Sequence, residues 1–300
     1  MNLRDLEYLI AIDEEKHFNK AAERCFVSQP TLSGQLKKLE DTLGVLLVER
    51  NNRQVKMTQA GVEITNQARQ ILAETKALKE IAQNYQDPMA GDLHVGLIPT
   101  VAPYLLPIII PALKKQCPKL KLWLHEHQTH ILLDKLRNAE LDFLILALPV
   151  QTSEFSEFTL FEEPFWLAIP KDEKLAHQKN IQLTDLENRE VLLLEEGHCL
   201  RGQALDVCFA GGATEHSGFQ ATSLETLRHM VAENMGITLI PELAVPAKRR
   251  KDDAVRYLPF DDPRPTRRIG LLYRNKSYRS EVLLTLAKII QQTMVKLNNT

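Results

Sequence analysis

With 300 residues, 44% hydrophobic and 25% charged, the chain has the composition of a globular protein of two or three domains and excludes a disordered or fibrous one. It contains no apolar run of eighteen residues, and Met1-Asn2-Leu3-Arg4-Asp5 has no signal-peptide core, so a cytosolic protein with reduced cysteines and no membrane partner is expected. The formal net charge of -2 gives no general affinity for polyanions, but its distribution does: no acid lies between Glu23 and Glu40 where Arg24, Lys37 and Lys38 fall, and a second basic cluster spans Arg50 to Lys56.

Leu3, Leu6, Leu9 and Ile10 recur at helical spacing, as do Phe18, Ala21 and Ala22, which predicts two short helices before residue 25. Ser28 is suited to cap a third helix, with Pro30 in a first turn that needs no amide partner and Gly44 as the stop. Leu32, Leu36, Leu39 and Leu43 give this helix a buried stripe. Its other face carries Gln29, Thr31, Ser33, Gln35, Lys37 and Lys38, side chains able to reach base edges and phosphates from a major groove. Val45 to Val48 and Val55 to Met57 read as strands of a hairpin whose tip, Glu49 to Gln54, holds Arg50 and Arg53. Any one of these pieces could be a solvated polar face. Together they form a winged helix-turn-helix over residues 1–58, with Ser28, Gln29, Pro30, Thr31, Ser33, Gln35, Lys37, Arg50 and Arg53 as candidate DNA-binding residues.

Thr58 can cap a long linker helix over residues 59–87, about 42 Å from 58 to 85. Its apolar seam, Ile64, Ala68, Ile71, Thr75, Leu78, Ala82 and Tyr85, has coiled-coil spacing, so its partner is the same helix of a second copy or, alternatively, the chain's own regulatory domain. Asp87-Pro88-Met89-Ala90-Gly91 forms a hinge. Beyond it, residues 88–300 alternate strands and helices as a two-lobed α/β domain. Strands fall at 93–98, 119–126 and 141–148, with helices at 105–116 and 130–139. Lobe I takes about 88–163 and 268–300 and closes with a strand at 268–273 and a helix at 279–296. Lobe II takes about 164–267, with strands at 165–169, 191–194, 218–221 and 237–240. The charged run Lys248 to Asp253 reads as an exposed loop.

The stretch from Glu195 to Cys208 carries two of the four cysteines. Cys199 follows Gly197-His198 where an apolar strand gives way to a helical pattern, a setting whose unpaired amides and dipole favour a thiolate. If 199–208 is one helix, the two positions lie about 13 Å apart along its axis and half a turn from facing each other, whereas a disulfide needs Cα atoms within roughly 7 Å. Oxidation would then have to unwind the helix and could act as a switch. Free cysteines are also common core residues, and that plainer reading stays open. Cys25 and Cys117 are read as structural. His125, His127 and His130 are read as packing and capping residues rather than metal ligands.

The first 60 residues resemble the LysR-type transcriptional regulators. The matching runs are Phe18-Asn19-Lys20-Ala21-Ala22, Val27 to Leu36, Leu39-Glu40, Leu43-Gly44, Glu49-Arg50 and Thr58-Gln59-Ala60-Gly61. The resemblance implies a DNA-binding head, a dimerising helix and a regulatory domain like that of periplasmic binding proteins. Gly197 to Arg201 with Cys208, Gly96 to Thr100, His125 to His130 and Ala221 to Arg228 are similar to the peroxide-sensing branch, the OxyR-type regulators. That resemblance implies Cys199 as peroxidatic thiol and Cys208 as resolving thiol. It places Thr100 and Thr129 around the peroxide and has His198 and Arg267, or the adjacent Arg268, support the thiolate and transition state. For either threonine a helix cap is the alternative role.

The implied protein is no enzyme and needs no cofactor beyond hydrogen peroxide as signal. Its implied partners are promoter DNA, RNA polymerase, its own copies in a homotetramer, and glutaredoxin or thioredoxin as reductant. A regulator that answers a small metabolite between the lobes, or a thiol peroxidase carrying a DNA-binding appendage, are the alternative functions.

Overall fold

Side-chain caps fix where the helices of the N-terminal unit begin in the computed structural model, which describes residues 1–51, 54–150, 152–248 and 253–298. Asn2 and Asp5 form a reciprocal capping box at the start of α1 (Leu3–Glu15), and His17 Nδ1 accepts the Asn19 amide at the start of α2 (Phe18–Arg24). Ser28 caps α3 (Gln29–Leu43) by accepting the Thr31 amide, and Gly44 ends it at φ +73°. Leu32, Leu36 and Leu39 are buried with Leu9, Ile12, Ala21 and Ala22, each leucine contributing about 1.5–3 kcal/mol by burial. Leu43, the fourth residue of the expected stripe, is exposed: α3 has passed the end of its partners by that turn.

The wing is shorter at its tip and starts later than the apolar residues suggest. Strand β1 (Val48–Asn51) pairs antiparallel with β2 (Gln54–Met57), from Val48 opposite Met57 to Asn51 opposite Gln54. Val45 and Leu46 are exposed and outside the strand. Buried Glu40 explains the later start, because its Oε1 accepts the amides of Leu47 at 2.8 Å and Val48 at 3.3 Å and so fixes where the wing leaves α3.

Helix α4 (Gln59–Gln86) follows, with Thr58 Oγ1 accepting the Gly61 amide and donating to the Leu46 carbonyl. Arg69 ties it to α1 through Asp13 at 2.8 Å and Glu14 at 3.3 Å. Ala68 is buried, but the seam beyond is open: Leu78 is 68% and Tyr85 90% exposed.

The chain divides into two compact units, one holding Met1–Gln86 and Asn138–Glu140, the other Asp87–Arg137 and Leu141–Thr300. The second unit has two hydrophobic cores. Around the first are β3 (Gly91–Leu97), α5 (Ala102–Gln116), β4 (Leu120–Glu126), α6 (Thr129–Arg137) and β5 (Phe143–Leu148). Pro107 and Pro111 interrupt the hydrogen-bond ladder of α5, yet the helix persists because Leu105, Ile109 and Leu113 share one buried face.

A single 16-residue strand, β6 (Phe155–Pro170), then runs from the first core to the second. The second core is built on β7 (Glu190–Leu194), α7 (Cys199–Ala210), β8 (Thr214–Ala221), α8 (Leu224–Ala232), β9 (Thr238–Pro241) and β10 (Val255–Pro259). Strand β11 (Thr266–Arg274) returns to the first core, and α9 (Ser280–Asn298) covers it.

The main sheet has the order β10-β6-β11-β5-β3-β4, with β9 also on β6, while β7 and β8 form a separate parallel pair. β3 runs parallel to β4 and β5, and β11 antiparallel to β5 and β6. The sequence reading located only 165–169 of β6 and missed β10 and α8. Residues 155–164 interleave Phe155, Phe158 and Leu160 with acids, and their strand character comes from β11, more than a hundred residues later. The expected hinge at 87–91 is fastened at one side, since Arg279 donates to the carbonyls of Asp92, Pro88 and Ala90.

The start of α4 leaves no room for a side chain at Gly61, where a Cβ would lie 2.0 Å from the Leu47 carbonyl oxygen. Gly61→Ala therefore forces the wing off the helix. It should destabilise the N-terminal unit by about 1–3 kcal/mol, seen as a lower urea midpoint for that unit.

Candidate functional site

Two clusters of polar side chains in the second unit contain every residue expected at the peroxide pocket. The first lies where β6 and β11 cross between the cores. Arg267 stands opposite Glu163 in the strand register, and both are buried, at 2% exposure. Arg267 Nε donates to Glu163 Oε2 at 2.8 Å, Nη1 to Thr100 Oγ1 at 3.1 Å and Nη2 to the Thr100 carbonyl at 3.0 Å. The alternation of β11 points Arg268 to solvent, which decides between the two arginines on geometry. Thr100 does not cap α5: the N-cap is Val101, and it makes no side-chain cap.

The second cluster surrounds the turn before α7. Gly197, at φ +94°, comes so close to α6 that a Cβ there would lie 2.6 Å from Gln128 Oε1, and Gln128 Nε2 donates to Glu195 at 3.3 Å. Thr129 follows Gln128 as the first residue of α6, and its Oγ1 is buried with no hydrogen-bond partner among the described residues. A cap does not account for it. The orphan hydroxyl is free to bond a small polar molecule.

His198 is the N-cap residue of α7 without a side-chain cap bond, is buried, and lies 3.9 Å from Glu195. Burial pushes its pKa down, against a weaker upward pull from Glu195. It is a neutral imidazole near pH 7, a hydrogen-bonding group rather than a cation.

Cys199 is the first residue of α7 and packs against the first core, although its helix belongs to the second. Cys208 is buried in the second core beside Leu200 and Ala204, on the face repeated every four residues. Both are free thiols at opposite ends and on opposite sides of an unbroken helix. Burial pushes Cys208 up to about 12, so it is a thiol at neutral pH and cannot lead an attack. Cys25 and Cys117 are also free, and burial raises the pKa of each. His125 pairs with His94, Nε2 to Nδ1 at 3.1 Å, while His130 is exposed on α6.

Comparison with known proteins settles the ancestry. The model for the bacterial regulatory helix-turn-helix of the lysR family matches residues 3–62, and that for the LysR substrate binding domain matches residues 86–295. A DNA-binding transcriptional dual regulator OxyR of Escherichia coli is 53% identical over 294 residues, covering 98% of this chain and 96% of that one. The chain belongs to the LysR family, in its OxyR branch. Among solved structures, a full-length OxyR of Pseudomonas aeruginosa carrying a cysteine-to-aspartate substitution is 39% identical with a TM-score of 0.77, covering 97% of this chain and 95% of that one. A Corynebacterium glutamicum OxyR with a cysteine-to-serine substitution, solved with hydrogen peroxide bound, is 33% identical with a TM-score of 0.67, covering 98% and 93%.

In this LysR-family chain the expected DNA-binding residues lie on α3 and the wing. Gln29, Pro30, Thr31 and Lys37 are exposed, and Ser33 and Gln35 half-buried. The Ser28 and Thr31 hydroxyls bond each other at 2.8 Å, so Ser28 is occupied as a cap. Arg50 is placed by its backbone in β1, opposite Val55, and Arg53 lies outside the described residues. Sequence reasoning missed Glu163, Gln128 and Gly197. Glu163 could have been found only by pairing its strand with Arg267.

Two outcomes follow for the OxyR-type site. In the reduced protein at pH 7, iodoacetamide should label Cys199 at least about a hundredfold faster than Cys208, read by peptide mass mapping, because Cys208 is both buried and protonated. His198 has a lowered folded-state pKa, so the unfolded chain takes up its proton first as pH falls. Stability should be unaffected by this group well above pH 6.5 and decline as pH drops from there through the folded pKa. His198→Gln should flatten that part of a plot of urea midpoint against pH.

Proposed function

We propose that the chain is a hydrogen peroxide-responsive transcription regulator, switched by oxidation of Cys199 and a disulfide between Cys199 and Cys208. The observation that carries this reading is the placement of two thiols at opposite ends of one helix and against two different cores. Peroxide oxidises the Cys199 thiolate to a sulfenic acid, and Cys208 displaces water from it to form the disulfide before further oxidation. With Cα atoms about 13 Å apart in the helix, closure requires α7 to unwind. Support also comes from the bound hydrogen peroxide in the Corynebacterium relative, from the bond between Arg267 and Thr100, and from the unpartnered hydroxyl of Thr129 next to Gln128, which meets the turn before His198.

The DNA head and α4 support promoter DNA and a second copy of the chain as partners. Leu78 and Tyr85 on α4 are apolar and exposed, as a dimer seam requires. Unwinding of α7 alters how subunits of a homotetramer pack and so respaces the DNA heads, which favours contact with RNA polymerase and induction of antioxidant genes. Glutaredoxin or thioredoxin in the cytosol resets the switch by thiol exchange. No described helix is long and apolar enough to cross a membrane.

Cys199→Ser in the full-length protein tests this. Promoter affinity without oxidant should stay within about threefold of the parent, while peroxide should no longer shift the footprint or the transcript level. A Cys199→Ser protein that answers peroxide as the parent does removes the proposal.

A further inference from the structure

Glu163 is a carboxylate buried at 2% exposure, and nothing in the switch described so far requires it. Its two oxygens are divided between two lines of contact. Oε2 takes Arg267 Nε and Nη2, both at 2.8 Å, and Oε1 takes the Leu243 amide at 2.9 Å. The guanidinium is therefore held in plane and in rotation, and its remaining edge meets Thr100 at both the hydroxyl and the carbonyl.

This arrangement fixes the direction of a proton. Arginine has five donors and no acceptor, so the bond from Nη1 to Thr100 Oγ1 makes that oxygen an acceptor there. The single hydrogen of the Thr100 hydroxyl must then point away from Arg267, and among the described residues no acceptor takes it. Charge assistance from Arg267 makes it a better donor. Thr129, whose hydroxyl has no partner among the described residues, is by contrast free to accept or donate.

Resting on the peroxide-sensor reading, we infer that Glu163 is a positioning residue of the peroxide site, which acts through Arg267 to lock Thr100 as a hydrogen-bond donor to the departing oxygen. In the step concerned the Cys199 thiolate attacks the near oxygen of HO–OH. The S–O bond forms with the sulfur's electron pair, the O–O bond breaks, and the far oxygen leaves with the bonding pair as hydroxide. Sulfur is oxidised by two electrons to Cys–S–OH, the near oxygen keeping its own hydrogen, and peroxide is reduced. The charge that moves from sulfur to the leaving oxygen is met by the Thr100 O–H, a donor in place before the reaction. Losing one such donor outright slows a reaction by up to roughly 100–1000-fold. Glu163 makes no contact with peroxide here; it decides which way Thr100 points.

The plainer reading is a structural ion pair that only joins β6 to β11, and a buried pair is weak grounds for more. Reaction selectivity separates the two. In the full-length protein, the rate constant for oxidation of Cys199 by hydrogen peroxide and that for its alkylation by iodoacetamide are both followed by quenched-flow mass spectrometry. Alkylation needs the thiolate and access but releases no hydroxide.

Glu163→Gln keeps the size but leaves one oxygen for two lines of contact. It should cut peroxide oxidation roughly 10–100-fold and alkylation by less than about threefold. Thr100→Val should do the same, and Thr100→Ser should stay within about threefold of the parent. Because the effect runs through Thr100, the double variant Glu163→Gln/Thr100→Val should be no slower than about threefold below the slower single variant. If Glu163→Gln does not fold, Arg267→Lys, which keeps the charge but loses the fork, should show the same selective loss.

The inference is overturned if peroxide and alkylation rates fall together, if peroxide oxidation stays at the parent rate in Glu163→Gln or Arg267→Lys, or if the losses at 163 and 100 multiply. A parent protein whose Cys199 is alkylated but does not react with peroxide overturns the sensor reading itself, a result distinct from any of these.

Discussion

Helix α7 works as a spacer. While its backbone hydrogen bonds hold, the first and tenth residues cannot meet, and the two thiols are held against separate cores. The rest of the regulatory unit can be understood from that constraint. A bond between Cys199 and Cys208 gains its covalent energy only by giving up the helix and the burial of Leu200, Ala204 and Cys208, a loss of roughly 3–5 kcal/mol in apolar burial alone. At about 1.4 kcal/mol per 30 mV for a two-electron couple, a loss near 4 kcal/mol raises the disulfide's potential by roughly 90 mV, towards easy reduction. A bond so placed is suited to reversible signalling and poorly suited to permanent stabilisation.

The two cores that hold the thiols apart are joined by β6 and β11. These two strands pass from one core to the other, and the buried pair of Glu163 and Arg267 lies at the crossing. Desolvating two charges is costly, and a pair of apolar residues could hold the strands as well. The ionic pair does what apolar side chains cannot: it presents a directed set of donors to Thr100 at the start of α5. Gln128 reaches the turn before α7 from the start of α6, beside Thr129 with its unpartnered hydroxyl, and Thr100 and Thr129 stand at two successive strand-to-helix connections. Neutral His198 completes the setting without adding a competing positive charge.

In the DNA-binding unit a similar economy appears at Glu40 and Gly61. Glu40 turns the end of α3 into an anchor for the wing, and Gly61 lets α4 begin directly against the Leu47 carbonyl. Recognition helix, wing and long helix thereby meet within a few residues.

Local elements, and the chemistry their side chains offer, are legible in the chain without its fold. Capping at Ser28, the leucines of α3, the long seam of α4 and the isolated pair Cys199 and Cys208 are all short-range patterns, and short-range patterns follow from helix geometry and side-chain chemistry alone. The fold was needed to fix which face of β11 carries the arginine, that Glu163 stands opposite it, that Leu43 is left exposed, and that 155–164 is a strand. Each of those depends on a partner far away in the chain. A buried glutamate between Phe161 and Pro164 has no local signal, because what makes its burial tolerable is the guanidinium 104 residues later.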